Sequence, residues 1–240
     1  MSKPMTTKAQ AAPGERSRGQ LFGRRKGHRL RPRQLRLVEE MLPGLRVCLD
    51  GLRAHGPAAL FDRPVREVWL EIGFGGGEHL AWQAAHNRDI GMIGAEPFVN
   101  GVAKLLAAIE DEGLGNIRIH DDDARPLLEA LPDNSLDRVF VLFPDPWPKA
   151  RHRKRRFVSH ETVGELHRIL RPGGTLRFAS DIADYVRWTL AHIRAHGGFE
   201  WTAEHPRDWR ERPRDWPGTR YEAKARGAGR RCAYLSFRRA

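Results

Sequence analysis

Four carboxylates stand where short apolar runs end. Glu71 lies in LEIGFGGGEH, Glu96 in GAEPF, Asp123 in HDDDA and Asp145 in FPDPWPK. A short apolar run bounded by Gly, Pro or Asp reads as a buried strand, so each acid falls near a strand's carboxyl end. In an open parallel sheet those ends share one edge, and ligands bind there. Gly73 and Gly75, with glycines at 76 and 77, follow the first run and let the backbone turn and approach a ligand closely. Their spacing is G-x-G-G-G, not the dinucleotide G-x-G-x-x-G, and a carboxylate at Glu71 would repel a pyrophosphate. It would accept an ammonium group or a hydroxyl, both of which S-adenosyl-L-methionine offers. Glu96 lies 23 residues after Gly73, about where a ribose-binding acid sits in such folds. Its two oxygens can accept from two vicinal hydroxyls at once. Asp123 can meet an adenine amino group. Asp145 ends the fourth run, at the centre of the sheet and beside the expected methyl group. Any one of these acids alone reads as a solvated strand end, and the glycines alone as a tight turn.

The stretch after Asp145 adds a second chemistry. Pro144, Pro146 and Pro148 stiffen a corner whose Trp147 offers a flat apolar face to a base. Six cations then fall within eight residues: Lys149, Arg151, Arg153, Lys154, Arg155 and Arg156. A phosphate backbone following a flipped-out base would meet them there. The plain structural alternative is a proline turn with a core tryptophan and a solvated helix start. Charge elsewhere supports the functional reading. The chain carries a net +12, yet residues 1–36 hold eleven Lys/Arg against one Glu, and residues 205–240 eleven against four acids. With the run at 149–156, these basic segments frame a body of net −11. Clustered cations on an acidic body fit a polyanionic partner.

Elements that place these residues follow from the rhythm of the chain. Runs at EVWLEIG, IGMIGAEP, NIRIHDDDA, SLDRVFVLFPDP and TLRFASD alternate with helical spacing at GEHLAWQAAHN, FVNGVAKLLAAIEDEG, LLEAL, SHETVGELHRILRPGG and IADYVRWTLAHIRAHGG. Alternating strands and helices predict an α/β fold, a parallel sheet with helices on both faces. FEWTAE and RCAYLSFRR are the last strand candidates, and RQLRLVEEMLPGL predicts a short helix stopping near Pro43. Residues 1–33 read as a flexible basic N-terminal arm and residues 34–240 as a single domain. Two cysteines, Cys48 and Cys232, are too few for a disulfide framework or a zinc site, which fits a reducing, cytoplasmic setting. No metal is expected. No apolar run reaches the roughly 18 residues of a membrane span, and the N-terminal stretch lacks a signal peptide's apolar core.

In this order, LEIGFGGGEH, GAEPF, HDDDA, FPDPWPKARHRKRR, SDIADY and GTRYE resemble the bacterial tRNA (guanine-N7-)-methyltransferase family, over about residues 66 to 239. FPDPWPK with RHRKRR is the most specific part. The resemblance implies a class I methyltransferase (Rossmann-like) fold: seven strands, the last antiparallel. It implies methyl transfer from S-adenosyl-L-methionine to N7 of guanine 46 in the tRNA variable loop. By this resemblance Glu71, Glu96, Asp123 and Asp145 match cofactor positions, and Asp145 also the catalytic one. Lys149, Asp181 and Thr219, Arg220, Tyr221 and Glu222 match substrate positions, and the run at 151–156 an RNA-contacting segment. TRYE departs from the family's Lys and Phe at its middle positions but keeps charge and aromaticity. tRNA is the implied partner, with a monomer favoured and no protein partner required. Two rivals remain open on the residues alone: methylation of an exocyclic amine, and an RNA-binding protein with a decayed methyltransferase core. The division of labour between Asp145 and Asp181 is also open.

Overall fold

The computed structural model describes Gly23 and residues 25–240. Its strands are β1 Glu67–Ile72, β2 Ile90–Ala95, β3 Ile117–His120, β4 Leu136–Leu142, β5 Leu170–Ser180, β6 Phe199–Trp201 and β7 Ala233–Arg239. They form one sheet in the order β3-β2-β1-β4-β5-β7-β6. The first five are parallel, and β7 runs antiparallel between β5 and β6. The expected seven-stranded sheet with its antiparallel last strand is present.

Helices α1 Pro32–Arg36, α2 Leu42–Leu45 and α3 Leu49–His55 precede the sheet, α1 and α2 being joined by a π-helical stretch over Leu37–Met41. Then come α4 Glu78–His86, α5 Val99–Glu112, α6 Ala124–Ala130, α7 His160–Ile169, α8 Ala183–His196, α9 Arg207–Arg210 and α10 Arg220–Gly227. Both sheet faces are buried. Val68, Leu70 and Ile72 of β1 join the core beneath α6, α7 and α8, whereas Trp69 joins the core beneath α4 and α5. Side chains alternate along a strand, so Glu71 shares the face of Trp69 and points toward α4.

Several local expectations change. Helical backbone continues past Pro43, because that proline occupies the first turn of α2, where its missing N–H is no loss. The Pro-Gly-Gly stretch after α7 is not a loop before the fifth strand. It lies inside β5, where the pairing with β4 shifts register between Leu136 and Arg138. FEWTAE contributes a strand only over Phe199–Trp201. The end of the expected arm is docked: the Val99 N–H donates to the Arg25 carbonyl at 3.0 Å, and the Gly27 N–H to Asn100 Oδ1 at 2.8 Å. Arg33 pairs with Glu110 at 2.7 Å and also with Asp111. Residues 25–33 therefore lie along α5, and the remainder of the proposed arm, 1–22 and 24, falls outside the described residues.

One close approach fixes how α5 meets the glycine turn. A Cβ on Gly101 would lie 2.0 Å from the carbonyl oxygen of Gly75, so helix and loop touch backbone to backbone. Gly101→Ala must push them apart. It is expected to lower stability by about 1–3 kcal/mol, the range for overpacking, and to weaken binding in the cavity that the turn lines. Urea unfolding paired with cofactor calorimetry checks both outcomes; native values in each would remove this close approach as a constraint.

Candidate active site

The sheet order reverses between β1 and β4, and a cavity of about 390 Å³ opens at their carboxyl ends. Its wall includes Gly73 and Gly75 after β1, Glu96 after β2, Asp123 after β3 and Asp145 after β4. Four strand-end loops thus place five of the expected residues in one cavity. Glu96 is the most constrained of them. It is buried, and its carboxylate accepts the Gly75 N–H at 2.7 Å and the Phe98 N–H at 3.0 Å, one on each oxygen. Each oxygen keeps a lone pair for a ligand hydroxyl. Burial pushes the Glu96 carboxyl above the usual range, while the two backbone donors pull it back. Asp123 caps α6 through the Arg125 N–H at 3.0 Å and pairs with the Arg125 guanidinium at 2.8 Å. Gly75 has φ 59°, and a Cβ there would lie 2.9 Å from the Tyr221 ring, so Tyr221 closes over the glycine turn.

The Asp145 loop is built for rigidity. Phe143 and Trp147 both take positive φ, 49° and 40°, among three prolines. Such backbone costs energy and persists only where its surroundings hold it. Arg156 is the holder: its side chain is fully buried, its Nε donates to the Pro146 carbonyl at 2.9 Å, and its Nη2 meets Asp184 at 2.5 Å. The guanidinium lies 4.8 Å from the Tyr185 ring centre and 5.1 Å from that of Trp188. Desolvation by the surrounding loop pushes the Asp145 carboxyl up as well. Arg155 stacks over Trp147 at 5.0 Å, and both line the cavity.

Several predicted site residues sit elsewhere. Arg156 is the clearest correction: its guanidinium is spent inside the protein and cannot meet a phosphate. Arg153 is shared, pairing with Asp184 at 3.1 Å while partly exposed. Lys149, Arg151 and Lys154 are exposed. They lie on or beside a 3-10 turn, Ala150–Arg155, that follows the proline corner. Desolvation, and after it the field of Arg155, Arg151 and Lys149, holds the nearby His152 imidazole below its usual value. Glu71 is buried behind the turn rather than on the cavity wall, and accepts from His79 Nδ1 at 2.7 Å. Gln83 donates to His79 Nε2 at 3.2 Å and to the Asp215 carbonyl at 2.7 Å. This chain ties β1 to the segment that leads into α10. Glu222 is likewise buried, between Arg212 at 3.2 Å and Arg226 at 2.7 Å. Both acids therefore hold structure. Thr219 caps α10 by accepting the Glu222 N–H at 3.2 Å, and Arg220 donates to the Tyr221 hydroxyl at 3.0 Å. Asp181, past the end of β5, pairs with Arg230 at 2.6 Å. Phe98, Arg125 and Phe157 also line the cavity. Sequence reasoning missed them, although Phe98 follows Glu96 closely enough to have been found.

Residues 65–235 match the family described as "Putative methyltransferase". A tRNA (guanine-N(7)-)-methyltransferase of Agrobacterium fabrum is 54% identical over 90% of this chain and 93% of its own. One from Rhodospirillum rubrum is 55% identical over 91% and 87%. The chain belongs to the tRNA (guanine-N7-)-methyltransferase family. The solved structure of an antibiotic-related methyltransferase matches it with TM-score 0.51 at 16% identity, covering 81% of this chain and 94% of the other. That likeness shows the fold, class I methyltransferase. Family membership makes the protein an enzyme and accounts for a cavity at the sheet's switch point.

The raised carboxyls of Glu96 and Asp145 have opposite consequences for folding and for binding. Each holds its proton to higher pH in the folded chain than in the unfolded one. Their contribution to stability is thus greatest at acid pH and is lost as pH rises through the interval from the ordinary to the raised value. A ligand hydroxyl donated to Glu96 would favour the ionised form, so if the ribose of S-adenosyl-L-methionine sits there its affinity should instead fall as pH drops through the raised value. Glu96→Gln should weaken the cofactor about ten- to hundred-fold at neutral pH, the scale of one charged hydrogen bond, and flatten that acid limb. Calorimetry from about pH 4 to 8 tests this; unchanged affinity removes Glu96 from the site.

Proposed function

We propose that this enzyme transfers the methyl group of S-adenosyl-L-methionine to N7 of guanine in tRNA, at position 46 of the variable loop. The observation carrying this reading is the continuity of the cavity with the cationic turn: Asp145 and Trp147 line the first, and Lys149 begins the second two residues later. The residues fit the cofactor. Glu96 would take the ribose hydroxyls, Asp123 and Phe98 would flank the adenine, and the glycine turn would admit the amino acid moiety. When bound, the cofactor supplies an electrophilic methyl on a sulfonium. The relatives' names supply the guanine N7 and the tRNA, and the cationic turn fits an RNA partner. A cytoplasmic setting is part of the same proposal.

Guanine N7 holds a free lone pair in the neutral base, so no general base is required. What the protein must supply is alignment, worth roughly 7–11 kcal/mol in well-oriented reactions, and stabilisation of charge arriving on the base. Asp145 answers both needs. Its carboxylate is held by a loop strained at two backbone positions and pinned by Arg156. It can accept from the guanine N1–H or N2–H₂ while countering the growing positive charge. Asp181, tethered to Arg230, stands near the end of the next strand and is the second candidate to receive the base.

The deciding experiment incubates the protein with labelled cofactor and unmodified tRNA, then cleaves with borohydride and aniline. N7-methylguanine yields a break at position 46; label without cleavage would mean an exocyclic amine instead. Asp145→Ala is expected to lower kcat by about 10²–10³ in a folded protein. Near-normal turnover at saturating cofactor would end the catalytic assignment.

Neutralising the exposed Lys149, Arg151 and Lys154 together should raise KM for tRNA. It should also make log K against log salt shallower, by about 0.7–0.9 for each phosphate that is no longer neutralised. Cofactor affinity should stay constant, since none of the three lines the cavity. An unaltered slope would leave the turn as a solvated surface.

A further inference from the structure

A second and larger depression, about 780 Å³, lies on the far side of Asp181 from the Asp145 cavity. It runs between α8, the end of β5 and β7, with α9 and Trp201 of β6 along one wall. Its floor is apolar, from Val186, Leu190 and Leu235. Its aromatic wall is a tryptophan pair, Trp201 and Trp209, with ring centres 6.5 Å apart. Trp201 is 44% exposed, and Arg210 lies 4.7 Å over Trp209. Five arginines line this groove: Arg187, Arg210, Arg226, Arg230 and Arg231. Among the described residues no carboxylate lines it.

We propose that this groove is a second RNA-binding subsite, which holds an unpaired nucleotide near the target guanine, its base against Trp201 and its phosphates on Arg187 and Arg231. The proposal rests on the tRNA reading above and deepens it. Three observations choose RNA over other occupants. Arg226 and Arg230 are met by Glu222 and Asp181, but Arg187, Arg210 and Arg231 have no ion pair among the described residues, and these three cations fit a polyanion and repel the chain's own N-terminal residues, whose charge is also positive. Exposed aromatic faces beside arginines are the surfaces on which single-stranded bases stack. Finally, Ser180 lines the groove and precedes Asp181, one strand over from Asp145. One end of the groove therefore lies at the strand end next to the one that carries Asp145.

Two variants test it in the full-length protein. Arg187 and Arg231 are exposed and carry no ion pair among the described residues, so Arg187→Glu with Arg231→Glu should leave the fold intact. The double variant should bind tRNA about ten-fold or more weakly, with a salt slope reduced by about 1.4–1.8, the value for two phosphates left without a cation. Trp201→Ala should weaken tRNA about five- to 150-fold, the scale of one base-on-aromatic stack, with little change in salt slope. S-adenosyl-L-methionine affinity should be unchanged in both, and thermal unfolding reports folding. Unchanged tRNA affinity in folded variants of both kinds overturns the proposal. So does a change in sedimentation coefficient without a change in tRNA affinity, which would make the groove an interface between copies. Failure of the underlying tRNA assignment looks different: wild-type protein would then form no N7-methylguanine, whatever the variants do.

Discussion

The reversal of strand order between β1 and β4 is the constraint on which the site depends. β1 pairs with β2 on one side and β4 on the other, so the chain must leave β3 and return past β1 before laying β4 down. Right-handed crossovers then put α4 and α5 on one face and α6, α7 and α8 on the other. No helix can cover the gap between the two adjacent carboxyl ends. That uncovered crevice is where the glycine turn, Glu96, Asp123 and Asp145 converge. The acids are not clustered in sequence; the topology gathers them.

Positioning at the crevice comes from backbone packing more than from flexible side chains. Gly101 lets α5 touch the carbonyl of Gly75, and Glu96 bonds both the turn and the start of α5 through two N–H groups. On the opposite side, Arg156 clamps the Pro146 carbonyl from within an aromatic and acidic socket. Removing a cation from water is costly unless it is paired and hydrogen-bonded; the Pro146 carbonyl takes Nε, Asp184 takes Nη2 and two rings cover the guanidinium, while the buried Nη1 has no hydrogen-bond partner among the described residues. The positive run is therefore divided by depth. Its last residue builds the loop, Arg155 faces the cavity, and Lys149, Arg151 and Lys154 face outward.

The sequence made the frame legible because apolar periodicity and glycine stops are local signals. The central strands, α4, α5 and α8 are all where those signals predict. Cavity-lining Gly73, Gly75, Glu96, Asp123 and Asp145 were also visible, since strand ends share an edge in this fold. Roles set by distant partners were not visible. Nothing near Glu71 announces that His79, at the start of the helix past the glycines, takes its carboxylate. Nothing near Arg156 announces Asp184, 28 residues on. Glu222 reads as part of a substrate motif, yet Arg212 and Arg226 bury it. A charge run reports composition; which members are desolvated depends on packing between segments far apart in the chain. Likewise, residues 25–33 look like arm until α5 supplies Asn100, Glu110 and Asp111 as partners.

The placement of β7 bears on how the protein is born. During synthesis the strand that fills the position between β5 and β6 is the last of the seven to emerge. Until residues 233–239 leave the ribosome, β5 presents an unpaired edge, and β6, which pairs only with β7, has no partner. An exposed apolar edge of this kind is an aggregation hazard for a nascent chain. The buried Tyr234, Leu235 and Phe237 of β7 are equally late in reaching the core. Closure of the sheet therefore waits on its seventh strand in chain order, although that strand is not at the sheet's edge.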